Sequence, residues 1–234
     1  MSTEELFRED AYLRTTTAKV VRADAQGIVL DRSVFYPEGG GQPGDRGELQ
    51  LDDGTTIVVI DTQKDATGQL IHIPAPDSVA PGTGSQIGAT IDWDYRYRHM
   101  RTHTCLHLLC ALIPHPVTGG SISQDKGRLD FDMSDTIDKA SLESALNELV
   151  AADHVVDKRW ITDDEMQANM ALVRTMSVKP PMGAGRVRLI DIAGVDLQPC
   201  GGTHIARTSE IGHVRIGKVE KKGKQNRRVA VHLD

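Results

Sequence analysis

The sequence predicts an α+β protein, with a small antiparallel β-barrel at the amino end and a mixed helix–strand domain after it. Three observations carry this. Up to about Trp93, short runs rich in Val and Ile alternate with Gly, Pro or Asp turns, the pattern of a small barrel or sandwich. Beyond Trp93 the apolar periodicity turns helical. Helices and strands then follow one another in irregular order, with no internal repeat and no βαβ series. The expected domains are residues 1–93 and 94–234.

The elements follow in order. Ala18–Arg22 reads as a strand, turns near Gln26-Gly27 and returns as Ile28–Leu30. Glu48–Leu51 and Thr56–Ile60 flank Asp52-Asp53-Gly54, a hairpin signal. Gln69–Ile73 and Gln86–Ile91 complete the set, with Pro74 and Pro76 in a surface loop between them. Val34–Asp45 contains Gly39, Gly40 and Gly41 between prolines and is not a regular strand. Its glycines let the backbone come close to another surface.

In the second half, Arg98–Ile113 is expected as a helix ended by Pro114 and Pro116, with His103, His107 and Cys110 on one stripe. A hairpin joins Ser121–Ser123 to Arg128–Asp132. Asp138 to about Ala152 forms an amphipathic helix with Leu142, Ala145, Leu146 and Leu149 inward. Val155–Trp160 is a strand. Thr162 and Glu165 form a capping box for a helix reaching about Val173. Arg186–Ile190 is a strand, and the tail from Ile211 is a long hairpin turned at Lys222-Gly223-Lys224.

Composition narrows the function classes. The chain has 234 residues, enough for a real core, and 39% hydrophobic residues leave no reason to expect long disorder. No apolar run approaches a membrane span, and the first residues lack a signal-peptide layout, so a cytoplasmic location without membrane contact is expected. Three cysteines argue against a disulfide framework. A net charge of −6 excludes indiscriminate coating of nucleic acid. Two basic clusters, Tyr95–Arg101 and Lys218–Arg228, can still form a focused polyanion patch.

The chemistry concentrates in two stretches. His103 and His107, at i and i+4, share one helix face and can grip one ion. Cys200 and His204 lie four apart across Gly201, Gly202 and Thr203. Three imidazoles and a thiolate suit tetrahedral zinc, one ion per chain. Thr104 stands where a zinc protease has its glutamate base, which excludes that class. Two histidines on one helix favour a cleft-facing site over a purely structural one. Cys110 is an alternative donor whose simpler role is packing, and Cys105 points off the face.

These stretches resemble the editing domain shared by alanyl-tRNA synthetase, the free-standing AlaX proteins and threonyl-tRNA synthetase. His103–Leu109, Cys200–His204, the glycine-rich Leu30–Asp45, Arg207–Gly212 and Gly223–Arg228 all match family motifs, and the likeness covers nearly the whole chain. The chain has no room for an ATP-dependent aminoacylation core and is similar to the medium-length AlaX type.

The resemblance implies an α+β editing domain of the threonyl/alanyl-tRNA synthetase type and a deacylase acting in trans on mischarged tRNA(Ala). Ser-tRNA(Ala) is the chief substrate it implies, with Gly-tRNA(Ala) second and Ala-tRNA(Ala) spared. Neither ATP nor membrane is involved, and a monomer is favoured. Shape alone separates such amino acids by roughly 1–3 kcal/mol, so a second sieve is useful. It assigns His103, His107, Cys200 and His204 to metal and catalysis, leaving open whether zinc activates water or anchors the substrate amine, and whether His204 is ligand or base. Ser33 replaces the threonine common in the glycine-rich motif and is the candidate for recognising serine, with Gly39, Gly40, Gly41 and Gln42 lining the substrate. Arg96, Arg98, Arg101, Lys222, Lys224, Arg227 and Arg228 are candidates for acceptor-stem phosphates. The rival expectations are a non-catalytic zinc module that binds RNA and an esterase for small substrates.

Overall fold

A computed structural model describes residues 2–176, 182–183 and 185–234. The chain forms two compact units, Met1–Tyr97 and Arg98–Asp234. Among the described residues no helix is long and apolar enough to cross a membrane.

In the first unit, two short strands, β1 (Glu4–Glu5) and β4 (Arg32–Ser33), pair in parallel. The six remaining strands are β2 (Thr15–Asp24), β3 (Gly27–Leu30), β5 (Gly47–Leu51), β6 (Thr56–Lys64), β7 (Leu70–Pro74) and β8 (Gln86–Ile91). They close a barrel in the order β2-β3-β7-β6-β5-β8, with every pairing antiparallel. Alternation drives closure: in β6, Ile57 and Val59 are buried while Val58 and Ile60 face out. Val20, Ile28, Leu30, Leu49, Ile87, Ala89 and Ile91 fill the same core. Each large aliphatic side chain sealed there contributes roughly 1.5–3 kcal/mol. The Asp52–Thr55 turn forms as expected, with Gly54 at φ 88° and its amide donating to the Leu51 carbonyl at 3.0 Å.

The glycine-rich stretch is a tight hairpin. Gly39 and Gln42 exchange both backbone hydrogen bonds, at 3.1 and 2.9 Å, around Gly40 (φ 58°) and Gly41 (φ 84°). Two central residues with positive φ define a type I′ turn, which explains glycine at both. Asp45 anchors the stretch: its carboxylate accepts from the Tyr36 amide at 2.6 Å and pairs with Arg96.

Helix α1 (Trp93–Leu112) begins five residues earlier than expected, because the Asp92 side chain accepts from the Tyr95 amide at 3.1 Å and caps it. From Thr102 to Cys110 every residue is buried, so this stretch is enclosed on all sides instead of amphipathic. It crosses a four-stranded sheet of order β14-β15-β10-β9, with β9 at Val117–Ile122, β10 at Lys126–Asp132, β14 at Val214–Gly223 and β15 at Asn226–Leu233. A Cβ on Gly127 of β10 would meet Thr102 at 2.9 Å and Leu106 at 3.1 Å, so glycine sets how closely helix and sheet approach.

Helix α2 (Lys139–Ala151), capped by Asp138, buries Leu142, Leu146 and Val150, the last in place of the expected Leu149. Its Asn147 amide bridges both backbone groups of Val214 on β14, at 2.8 and 3.0 Å. A three-stranded sheet holds β11 (Val156–Thr162), β12 (Arg186–Ile192) and β13 (Asp196–Pro199) in that order. Helix α3 (Asp163–Ala168) has the expected capping box but stops sooner. Asn169 leaves helical geometry and its side chain donates to the Glu165 carbonyl at 2.8 Å, and a short 3₁₀ turn, Met170–Leu172, follows.

Candidate metal centre

The second unit brings four donors together. His103 and His107 come from consecutive turns of α1, and Cys200 and His204 from the loop after β13. One donor atom from each lies within 4.8 Å of the others. Cys200 Sγ stands 3.5 Å from His103 Nε2 and 3.3 Å from His204 Nε2. Zinc–nitrogen and zinc–sulfur bonds of about 2.0–2.3 Å at tetrahedral angles separate neighbouring donors by about 3.3–3.6 Å, so the cluster can hold such an ion. The three histidines are buried and Cys200 is partly exposed, which leaves the thiolate side open.

Strand periodicity builds half of this centre. Leu189 and Ile190 of β12 register with Pro199 and Gln198 of β13, placing Asp196, Gln198 and then Cys200 along one face. Buried Arg188 shapes the turn after it: its guanidinium donates to the carbonyls of Cys200, at 3.1 Å, and Gly202. The Gly202 amide in turn points at the Cys200 sulfur, at 3.4 Å. The Asp196 carboxylate accepts from His107 Nδ1 at 2.9 Å, and Thr104 Oγ1 lies 3.2 Å from His204 Nδ1. Sequence reasoning missed Asp196, Gln198 and Arg188, and read Thr104 only as the glutamate that is absent.

The electrostatics of Cys200 and His204 fit metal ligation. Burial would raise the Cys200 thiol, but His103 and His204 beside it bring it well below its ordinary value, toward the thiolate that metals bind. Burial together with the neighbouring His103 pushes His204 well down, keeping it neutral. Burial works against charge on His107 too, yet its hydrogen bonds to Asp196 and Cys200 lift it to about 10, so in the metal-free cluster this ring holds a second proton that a bound metal would displace. Cys105 and Cys110 are buried, and burial raises both thiols to about 12, so they remain packing residues outside the cluster.

The other nominated residues are dispersed. Ser33 is fully buried, 2.8 Å from His72 Nε2, and accepts from the Phe35 amide at 3.0 Å. Gln42 is buried, whereas Gly40 and Gly41 are exposed at their hairpin tip. Arg96 is sealed in the first unit, donating to Asp45, Ala11 and Val34. Arg227 is likewise buried against the carbonyls of Ser134, Asp135 and Asn226. Arg101 is bound to the Ile211 carbonyl and Arg228 to Asp130. Arg98, Lys222 and Lys224 are exposed, the first two beside Asp125 and Glu220.

Known proteins are similar to this chain in sequence. Residues 187–230 match the family model described as threonyl and alanyl tRNA synthetase second additional domain, and residues 8–95 match the class II (A) tRNA synthetase model. The chain is 35% identical to the alanyl-tRNA editing protein AlaX-M of Methanosarcina mazei, over 99% of this chain and 96% of that one. It is 33% identical to AlaX-L of Pyrococcus horikoshii, over 94% of this chain and 55% of that protein. An alanine–tRNA ligase of Sulfurisphaera tokodaii shares 36% identity over 94% of this chain but only 25% of its own length. Matched end to end by AlaX-M proteins, and only in part of the longer ones, the chain belongs to the AlaX family of alanyl-tRNA editing proteins, in its medium-length form.

Proposed function

We propose that the chain is a zinc-dependent aminoacyl-tRNA deacylase that hydrolyses Ser-tRNA(Ala), and also Gly-tRNA(Ala), while sparing Ala-tRNA(Ala). One observation carries the reading: three imidazoles and a cysteine sulfur converge within 4.8 Å of one another in a chain of the AlaX family. His103, His107, Cys200 and His204 would hold the ion. When bound, zinc supplies Lewis acidity toward the ester carbonyl or a water molecule. The residues around it prepare the site. Asp196 and Thr104 orient two of the imidazoles, and Arg188 with the Gly202 amide fixes the cysteine turn. The enclosed α1 keeps bulk water from the histidine side, where electrostatic interactions gain strength.

Ser33 is assigned to discrimination by resemblance, and its buried, engaged hydroxyl weighs against that assignment. The exposed Gly40-Gly41 tip remains a candidate for contact with the aminoacyl end.

The test is deacylation of seryl-, glycyl- and alanyl-tRNA(Ala), with and without chelator, alongside metal content. The expected result is fast loss of serine with alanine retained, abolished by chelator and by His103→Ala or Cys200→Ala. A chain that binds one zinc yet cleaves none of the esters overturns the catalytic reading and leaves an RNA-binding module.

A further inference from the structure

We propose that the ligands are anchored unequally: Asp196, supported by Gln198, is the positioning residue that makes His107 a permanent ligand, whereas His204 is the exchangeable one. The inference rests on the metal-centre reading above and concerns which side chain gives way.

His107 and His204 present the same kind of nitrogen to the centre but are held from behind by different chemistry. Behind His107 Nδ1 stands a buried carboxylate at 2.9 Å. An ionised carboxylate only accepts, so Nδ1 carries a proton and Nε2 is the nitrogen left to face the metal. The same Asp196 oxygen accepts from Gln198 Nε2 at 2.7 Å, which fixes the carboxylate in turn. Its other oxygen is buried without a hydrogen-bond partner, so these two donors are the ones that compensate its charge. Hydrogen bonds to an ionised acceptor are about twice as strong as neutral ones.

Behind His204 Nδ1 stands a neutral hydroxyl at 3.2 Å. Thr104 gives its own proton to the Met100 carbonyl at 2.9 Å, so its oxygen accepts from His204 and is shared with the Ile205 amide at 3.4 Å. The backbone repeats the contrast. His107 sits within a 20-residue helix and Asp196 on a paired strand, but His204 lies beyond Gly201-Gly202, outside any helix or strand. The ligand with the weaker, uncharged tether, outside any helix or strand, is the one that yields. The remaining set, His103, His107 and Cys200, matches catalytic zinc sites, where three protein donors leave one exchangeable position.

The experiment uses the full metal-free chain and follows cobalt(II) and zinc binding by absorbance and competition with a chelator. Partners of this kind change metal affinity by about 10–100-fold. Asp196→Asn should weaken zinc binding by that factor, while Thr104→Val changes it far less. His204→Ala should retain one cobalt per chain with the thiolate charge-transfer band, and His107→Ala should lose it. Unchanged affinity in Asp196→Asn, or equal losses in His204→Ala and His107→Ala, overturns the inference. Should Asp196→Asn fail to fold by circular dichroism, Gln198→Leu replaces it, with weaker zinc binding in support and unchanged binding against. If the unsubstituted chain binds no metal, the metal-centre reading itself falls, a result distinct from any of these.

Discussion

His72 shows how much one side chain can commit to the barrel. It is fully buried, its Nδ1–H donates to the Ile28 carbonyl at 2.9 Å, and Nε2 therefore accepts from the Ser33 hydroxyl at 2.8 Å. Protonation would break the second bond and put a charge in an apolar core. Burial accordingly lowers its pKa from 6.5 to about 4, only partly offset by the Ile28 bond. The unfolded chain then binds the proton first, so this contribution is complete above pH 6.5 and drains away as the pH falls toward 4. At about 1.4 kcal/mol per pH unit, the loss reaches about 3 kcal/mol. Denaturant unfolding at pH 7 and pH 4.5, followed by Trp93 fluorescence in a Trp160→Phe background, should show that drop, and His72→Gln should flatten it. An equal slope in both proteins would mean that His72 is not the titrating group. Nothing in the sequence marked this residue: a histidine in a β-rich run gives no sign of what lies across the barrel.

At the scale of elements, legibility follows the source of each element's stability. The barrel strands, the Asp138-capped α2 and the capping box of α3 could be read because local pattern and local hydrogen bonds decide them. The four donors could be read because helical spacing and a glycine turn are local too. Strand β13 was missed, since Asp196-Leu197-Gln198-Pro199 has no β-branched residue and becomes a strand only by pairing with β12. With it went Asp196 and Gln198, although period-two spacing from Cys200 was a signal within reach. The glycine-rich stretch was read as a loop, and its actual form makes a sharper statement. A Cβ on Gly40 would touch nothing within 4 Å, so its φ of 58°, and not space, is what requires glycine. Gly40→Asn, which tolerates the left-handed region, should leave thermal stability nearly unchanged. Gly40→Val, β-branched in the same region, should cost about 1–3 kcal/mol. Equal losses in the two variants would show that the side chain's bulk, not the turn's backbone, is at fault.

For the whole molecule, the telling quantity is how its cations are spent. The chain is acidic overall, and of the seven basic residues nominated for phosphate only Arg98, Lys222 and Lys224 are exposed. Arg96 is consumed by buried acceptors, and Arg101, Arg227 and Arg228 by partners within their own unit. Each phosphate contact on a duplex adds about −0.9 to the slope of log affinity against log salt. Three contacts give a slope near −3, whereas seven would give about −6. Binding of tRNA(Ala) measured between 50 and 200 mM salt should therefore show the shallower dependence. Lys222→Gln and Lys224→Gln should each flatten it by about one unit. Arg96→Gln should leave the slope alone and instead destabilise the barrel unit by about 3–5 kcal/mol, because Asp45 is left as an unpaired buried charge. A slope near −6, reduced by Arg96→Gln in a chain that stays folded, would make Arg96 a phosphate contact. The shallow slope would instead mark an enzyme that holds its tRNA lightly through charge and leaves recognition to the chemistry at the metal centre.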